Sequence, residues 1–413
     1  MLKEPEFPHV KYTESGKTIV LNTADNLKAL LKSSGYEAKL NKMTLEPDIF
    51  KGKECMGSPD TVRSELISVA SIHSLPKPAI DDHFNAVALE NSYHPIKGWL
   101  SGEWDGQPRV DAVLDCLGAK NPQLARIVLL HWLVGCVACL LVPNFKSKLV
   151  PVLQGEQSFK KTAFVERIAN VMPSAFLEGA ELNPDNKDSV LSVIRSWIVE
   201  LGELERSTKN CQGALKAFVT RAQDTVRPPY ARSDIKKSRQ TNLIATVNGT
   251  DFLKDETGNS RYAVIELVAE TNMDKLNELL GWDYKVTGEL TLAESEKLRQ
   301  FWLEVKHLFL VQKHPWMLSS DAQALVSKES AKYVDKGTWY NMLNDQLETC
   351  HGKAREWLTT KQICDLFKVD ASKGNVVGKA LNQLHKEEKL DKKMLNGSNQ
   401  YCFPTVIPHT SFL

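Results

Sequence analysis

Between Leu149 and Arg167 the chain reads LVPVLQGEQSFKKTAFVER: an apolar run, a loop with two adjacent lysines, then a segment of helical periodicity. That order can hold phosphate. A buried strand supports such a loop, a first glycine makes its tight turn, and inward backbone N–H groups cradle the anion. A lysine reaches the outer phosphates, and a hydroxyl helps hold magnesium. Gly155, Lys161 and Thr162 stand at the spacing of glycine, lysine and hydroxyl in G-x-x-x-x-G-K-[S/T], with Gln157, Ser158 and Lys160 in the turn between them. Lys160 replaces the second glycine of that pattern, and its Cβ is tolerable there if its φ stays negative. The plainer alternative is a strand followed by an ordinary basic helix start.

Nucleotide hydrolysis also needs carboxylates at the end of a neighbouring strand, to hold the magnesium shell and polarise the attacking water. WIVELGELE offers Glu200 and Glu203 at the end of an apolar run, and TNLIATVNGT puts Asn248 at the tip of another, where a polar side chain can position water. Charge developing on a γ-phosphate is often met by an arginine from a neighbouring subunit. GNSRYAVIEL places Arg261 at the start of a further strand. Each piece alone has a bland reading as a solvated loop end, but their order along the chain is that of an ATP and Mg2+ site.

The elements that must position these residues follow from the pattern. From about 148 to 267, short apolar runs alternate with helical segments, which argues for an α/β architecture with a mainly parallel sheet. Residues 1–100 read as a helix-rich N-terminal domain behind a loose arm or edge strand. TADNLKALLKSSGY is a capped helix, AKLNKMTLE two short strands, and SPDTVRSELISVASIH and KPAIDDHFNAVALENSY further helices. GWLSGEWDGQPRV is a joint leading into 101–335, the domain that carries the phosphate-loop residues, whose part beyond residue 270 reads as helical. Residues 336–413 give three helices and a hairpin turning at Asn396, Gly397 and Ser398, the pattern of a winged helix-turn-helix.

Composition excludes little. The 413 residues are 42% hydrophobic and 25% charged with a net charge of +1, so any basic surface must be local. Of eight cysteines, the close pair Cys136 and Cys139 lies in the run IVLLHWLVGCVACLLV, which reads as a core helix, short for a membrane span. The chain start lacks the apolar centre of a signal peptide. Cytoplasmic residence is therefore expected, with no membrane partner.

ENSYHPIKGWLSGEWDGQPRVDAVL, GEQSFKKT, WIVELGELE, LKAFVTRAQDTVRPPYARS, SRQTNLIATVNGTDFL and GNSRYAVIEL together resemble the virulence-associated protein E family, helicase-like ATPases of phages, prophages and mobile islands. The resemblance spans about 90 to 267. It implies an AAA+ P-loop ATPase core close to the superfamily 3 helicases, working as a homo-oligomer, a hexamer, in a bacterial host cell. Gly155, Lys161 and Thr162 fall on the Walker A positions, Glu200 and Glu203 on the Walker B region, Asn248 on the sensor and Arg261 on the arginine finger. Either glutamate could be the direct magnesium partner. Ser158 and Lys160 stand where the family usually has glycine.

Superfamily 3 motors grip single-stranded DNA with a basic hairpin before the sensor strand, which the resemblance places at TVRPPYARSDIKKSRQTN. Arg227, Arg232, Lys236 and Lys237 would neutralise phosphates there and Tyr230 would stack. In the C-terminal domain Lys373, Lys379 and Lys386 lie along a candidate recognition helix with Val376, Val377, Ala380, Leu381 and Leu384 inward, and Lys392 and Lys393 lie on the wing, a surface for duplex DNA. The leading function is an ATP-dependent DNA helicase or replication initiator. The alternative is a catalytically degenerate P-loop protein acting as a non-enzymatic DNA-binding or interference factor. A primase reading finds neither an N-terminal acidic triad nor a zinc-binding cysteine cluster in the sequence.

Overall fold

A computed structural model describes residues 4–57, 59–202, 214–227, 234–250, 252–253, 261–334, 336–395 and 397–405. Its centre is a five-stranded parallel sheet: β1 (Val150–Gln154), β2 (Phe176–Leu177), β3 (Ile198–Gly202), β4 (Asn242–Val247) and β5 (Tyr262–Glu266). The spatial order is β5-β1-β4-β3-β2. β1, β3, β4 and β5 are buried almost throughout, so they read as continuous apolar runs, as parallel strands covered on both faces do. Pairing of Gln154 with both Val247 and Glu266, and of Thr246 with Gly202, brings the carboxyl ends of four strands to one edge.

The run around Cys136 is a helix, Pro122–Leu141, started by proline in its first turn and capped by Asn121, whose side chain accepts from the Leu124 amide. It is long and apolar enough to cross a membrane, yet most of it is buried in the protein. Trp132 Nε1 donates to Leu243 O on β4, and Trp197 Nε1 donates to Cys136 O, so the two indoles fasten helix to sheet. Burial pushes the Cys139 thiol up to about 12 and raises that of Cys136 well above its ordinary value, which makes both cysteines inert packing groups.

WDGQPR is a structural knot. Arg109 forms a two-pronged pair with Asp105, at 2.8 and 2.7 Å, and Trp104 Nε1 donates to Gln107 O at 3.0 Å. The buried Glu304 of helix Ser295–Leu310 accepts from the amides of Arg109 and Val110, at 2.5 and 2.9 Å, capping the short helix Val110–Leu114. The segment beyond 270 is not wholly helical: Trp282–Tyr284 pairs with Leu290–Leu292 in an antiparallel hairpin.

The N-terminal fold has its own core, including Leu27, Leu30, Ile49, Leu66 and Ala79. Thr23 caps the helix Ala24–Ser33 as its sequence indicates. Of the loose arm or edge strand expected at the start, the structure shows strands, Val10–Tyr12 paired with Thr18–Val20 in a hairpin. AKLNKMTLE makes only one strand end, because the Asn41 side chain accepts from the amides of Met43 and Thr44 and turns the chain.

The chain divides into two compact units, the second running from Lys332 onward and joined by Phe252 and Leu253. In it, helices Thr338–Thr349, Thr360–Leu366 and Gly374–Lys386 pack with a three-stranded antiparallel sheet, Arg355–Thr359, Ser398–Pro404 and Lys392–Leu395 in spatial order. Leu343, Ile363, Leu381, Leu384, Tyr401 and Phe403 form its core. Gly397, with φ of 72°, sits in the tight turn between Leu395 and Ser398. Val376 is not inward: it is 49% exposed, because the stripe that packs is Val377, Ala380, Leu381 and Leu384.

Removing the Glu304 carboxylate leaves two backbone amides without their acceptor. Glu304→Leu should cost about 2–3 kcal/mol in chemical denaturation, and Glu304→Gln clearly less. An unchanged midpoint for the leucine variant would refute the cap.

Candidate nucleotide site

In open α/β sheets ligands sit beyond the carboxyl ends of strands whose connections leave in opposite directions. β1 and β4 are such neighbours, since the chain leaves β1 toward β2 at one sheet edge and leaves β4 toward β5 at the other. The loop 155–160 follows β1 at this place, and the helix Lys161–Ala169 starts from it. Space at Gly155 is tight: a Cβ there would lie 3.0 Å from Leu267 Cβ and 3.0 Å from a Phe159 ring carbon, so a side chain would crowd both.

Lys161 is buried against this loop. Its ammonium donates to Gly155 O at 2.8 Å, Glu156 O at 2.7 Å and Asn248 Oδ1 at 2.9 Å, and burial lowers its pKa. The residues proposed from β1 and β4 thus meet. Thr162 Oγ1 donates to Glu200 Oε1 at 2.8 Å. Glu200, only 2% exposed, also accepts from Thr246 Oγ1 at 2.5 Å and, through Oε2, from the Gly179 amide at 2.8 Å. A hydroxyl beside a carboxylate fixed by other donors suits magnesium, which takes one or two protein oxygens and completes its shell with water and phosphate.

Lys160 and Ser158 depart from expectation. Lys160 has φ of 59° and ψ of 30°, and Ser158 has φ of 75°, so both side chains sit on left-handed backbone rather than at negative φ. The loop keeps the shape that glycine would favour while carrying Cβ atoms, a cost of about 1–2 kcal/mol for each such residue. Lys160, as N-cap of the following helix, makes no side-chain capping bond, leaving the first-turn amides of that helix open to an anion. Gln157 is exposed on the same loop.

Arg261 precedes β5, and Tyr262 pairs with Val150 at the start of β1. It therefore stands at the opposite end of the sheet from its own chain's loop, separated by the length of β1, roughly 17 Å at the usual rise per residue. Its Nε is buried without a partner among the described residues. Glu203, Tyr230 and Arg232 lie outside the described residues.

The basic segment does form a hairpin, Gln223–Val226 with Ile235–Ser238. Arg227 and Lys236 are exposed on it. Lys237 is not available to a ligand: it is 7% exposed, and its ammonium donates to Met43 O at 2.6 Å and to Ile194 O. The alternation of a strand explains the difference, Lys236 and Lys237 facing opposite sides. Arg239 is likewise buried, paired with Asp224 at 2.6 and 2.7 Å and set over the Phe218 ring. In the C-terminal unit Lys373, Lys379 and Lys386 are exposed. Lys392 donates to Asn382 Oδ1, and Lys393 lies over the Trp357 ring, 4.1 Å from its centroid.

Thr246 and the Gly179 amide escaped sequence reasoning. Thr246 had a readable signal, since it lies near the end of β4, two residues before Asn248. Gly179 had none, being a backbone donor on a separate loop. Glu178 stands nearby, its carboxyl raised by burial and then by the charges of Glu200 and Glu166.

Ser158→Gly and Lys160→Gly should each raise stability by up to about 1 kcal/mol, as relief of the left-handed Cβ exceeds the entropy lost at glycine. Thermal melts read the shift, and destabilisation would contradict the backbone geometry. Lys237 gives a pH dependence. Burial pushes its pKa from 10.5 down to about 7, with Arg195 and Arg239 adding to this and Asp224 opposing it. Between those values the unfolded chain holds a proton that the folded chain lacks, so stability should rise with pH from about 7 toward 10.5, by at most about 1.4 kcal/mol per pH unit. Lys237→Met should flatten that rise relative to the parent protein in denaturation series; identical slopes would disprove the assignment.

No curated protein matches the chain. Three apo structures of the NrS-1 C-terminal region each cover 92% of this chain and 98% of their own at 12% identity, with TM-scores of 0.48, 0.48 and 0.45. The family model of the virulence-associated protein E-like domain matches residues 99–335, more than half of the sequence, and the chain belongs to that family.

Proposed function

We propose that this protein is a DNA-dependent ATPase of the superfamily 3 helicase type within the AAA+ class, opening or unwinding DNA in the replication of a phage, prophage or mobile genetic island. One observation carries the reading: Lys161, Thr162, Glu200 and Asn248, from three separate elements, converge at one switch point of a parallel sheet. Membership in the virulence-associated protein E-like family supports the replication setting.

In this reading the Lys161 ammonium exchanges its carbonyl partners for the outer phosphate oxygens of ATP, and the helix amides after Lys160 receive the inner ones. Thr162 and Glu200 would hold Mg2+, which supplies charge neutralisation on the phosphates. Thr246 and the Gly179 amide keep the Glu200 carboxylate aimed when the Thr162 hydroxyl turns to the metal. Asn248, exposed at the tip of β4, orients the attacking water. Glu203 remains the second candidate to polarise it. Arg261, at the far end of the sheet, serves a neighbouring subunit's γ-phosphate, which makes an oligomer, a hexamer by family resemblance, the working form. Single-stranded DNA would run past Arg227 and Lys236, with Tyr230 and Arg232, which lie between them in sequence, as further candidates. The C-terminal unit would be a winged helix gripping duplex through Lys373, Lys379, Lys386 and Lys393.

The left-handed Ser158 and Lys160 favour a second reading, a family member that binds DNA but has lost turnover. The two separate by experiment. Lys161→Ala should abolish DNA-stimulated ATP hydrolysis, and Arg261→Ala should reduce it by about a thousandfold or more. Mixing the two inactive proteins should restore part of the activity, because each supplies what the other's interfaces lack. Undiminished turnover in Lys161→Ala would sink the motor, and no recovery on mixing would sink the shared site.

A further inference from the structure

Lys237, withdrawn from the DNA surface, has another task. The loop Asn41–Glu46 belongs to the N-terminal fold by connection, yet its Met43 side chain is 2% exposed inside the central core. The loop is preformed. Besides the Asn41 side-chain turn, Leu45 N donates to Asn41 O, Lys42 N to Tyr93 O and Tyr93 N to Leu40 O, while Asp48 accepts from Tyr93 Oη and Asn41 Nδ2. Leu45 takes a left-handed φ of 64° to complete it.

Two cations then seize the loop's outward carbonyls. Lys237, on the second strand of the basic hairpin, donates to Met43 O and to Ile194 O, the last residue of helix Lys187–Ile194. Arg195, which follows that helix, donates to Thr44 O at 2.6 Å and pairs with Glu46. Beside them His94 Nε2 is buried without a partner among the described residues, and its ring is held neutral, its pKa pushed down to about 4 by burial and then by Lys237, Lys42 and Lys97. A buried amine, charged or neutral, needs its acceptors, because an N–H left without one is costly there. Loop, helix end and hairpin base therefore stay together or separate together.

We propose that Lys237 is a positioning residue which, with Arg195, latches the loop Asn41–Glu46 to the base of the hairpin, so that the N-terminal fold sets where the hairpin's exposed cations stand. The latch rests on geometry alone; its consequence for DNA rests on the function proposed above. It makes the first hundred residues part of the DNA-contacting apparatus.

Hydrogen-exchange mass spectrometry on the full chain, beside single-stranded DNA binding by anisotropy across a salt series, tests this. In Lys237→Met, amides of 41–46, 223–226 and 235–238 should exchange about tenfold faster or more, with β1 and β4 unchanged. DNA affinity should fall while its dependence on salt keeps its slope. Lys236→Gln should do the reverse, leaving exchange alone and reducing the logarithmic salt slope by about 0.7, the signature of one lost phosphate contact. Unchanged local exchange in Lys237→Met, or a slope reduced as in Lys236→Gln, would overturn the proposal. Should Lys237→Met fail to fold, Arg195→Gln carries the same exchange comparison, and unaltered protection of 41–46 there would also refute the latch. A parent chain that binds no DNA would refute the functional reading, while the exchange result still decides the latch.

Discussion

A lysine ammonium can be taken out of water only where oxygen acceptors already wait for it. Two sites in this protein depend on that constraint. Lys161 is held by two loop carbonyls and Asn248, so the strands β1 and β4 must end in register before the charge can be buried. Lys237 is held by carbonyls from the N-terminal loop and from a central helix, so folding of the first hundred residues is tied to folding of the sheet. The first arrangement leaves room for exchange of partners at a sheet edge. The second is closed by Met43 and Arg195 and serves attachment.

The sequence-level pattern WDGQPR illustrates how a specific signal can be structural. Its aspartate and arginine pair with one another, its tryptophan bonds back to Gln107, and the arginine's amide is capped by Glu304. These residue types suit a compact turn bound to the helix Ser295–Leu310. None reaches the edge where Lys161 and Glu200 meet, so the motif's value as a family mark comes from the joint it builds.

Much of the sheet and of the site was legible because local chemistry determines it. Buried parallel strands need unbroken apolar runs, a helix start needs a cap such as Thr23, and the spacing from Gly155 to Thr162 follows from the loop's size. What was not legible depends on partners distant in sequence. Alternation along Ile235–Ser238 says that Lys236 and Lys237 face opposite ways, yet only a loop nearly two hundred residues earlier decides which of them is covered. The sign of φ at Ser158 and Lys160 was likewise unreadable, because the residue types favour one answer and the loop imposes the other. The hairpin Trp282–Tyr284 with Leu290–Leu292 was hidden by its helical surroundings.

The helix Pro122–Leu141 owes its burial to strands that come later in the chain. Trp132 reaches Leu243, and Asn242 donates to Cys139 Sγ, so part of its cover is made by β4. During synthesis the helix is complete well before that strand exists, an interval of roughly 5–20 s at ribosomal rates of about 5–20 residues per second. For that time the nascent chain carries a segment as apolar as a membrane span with little to pack against. Trp132 and Trp197 fasten it to the sheet once the chain through Leu243 has been made, and helix Ser295–Leu310 adds to its cover later still.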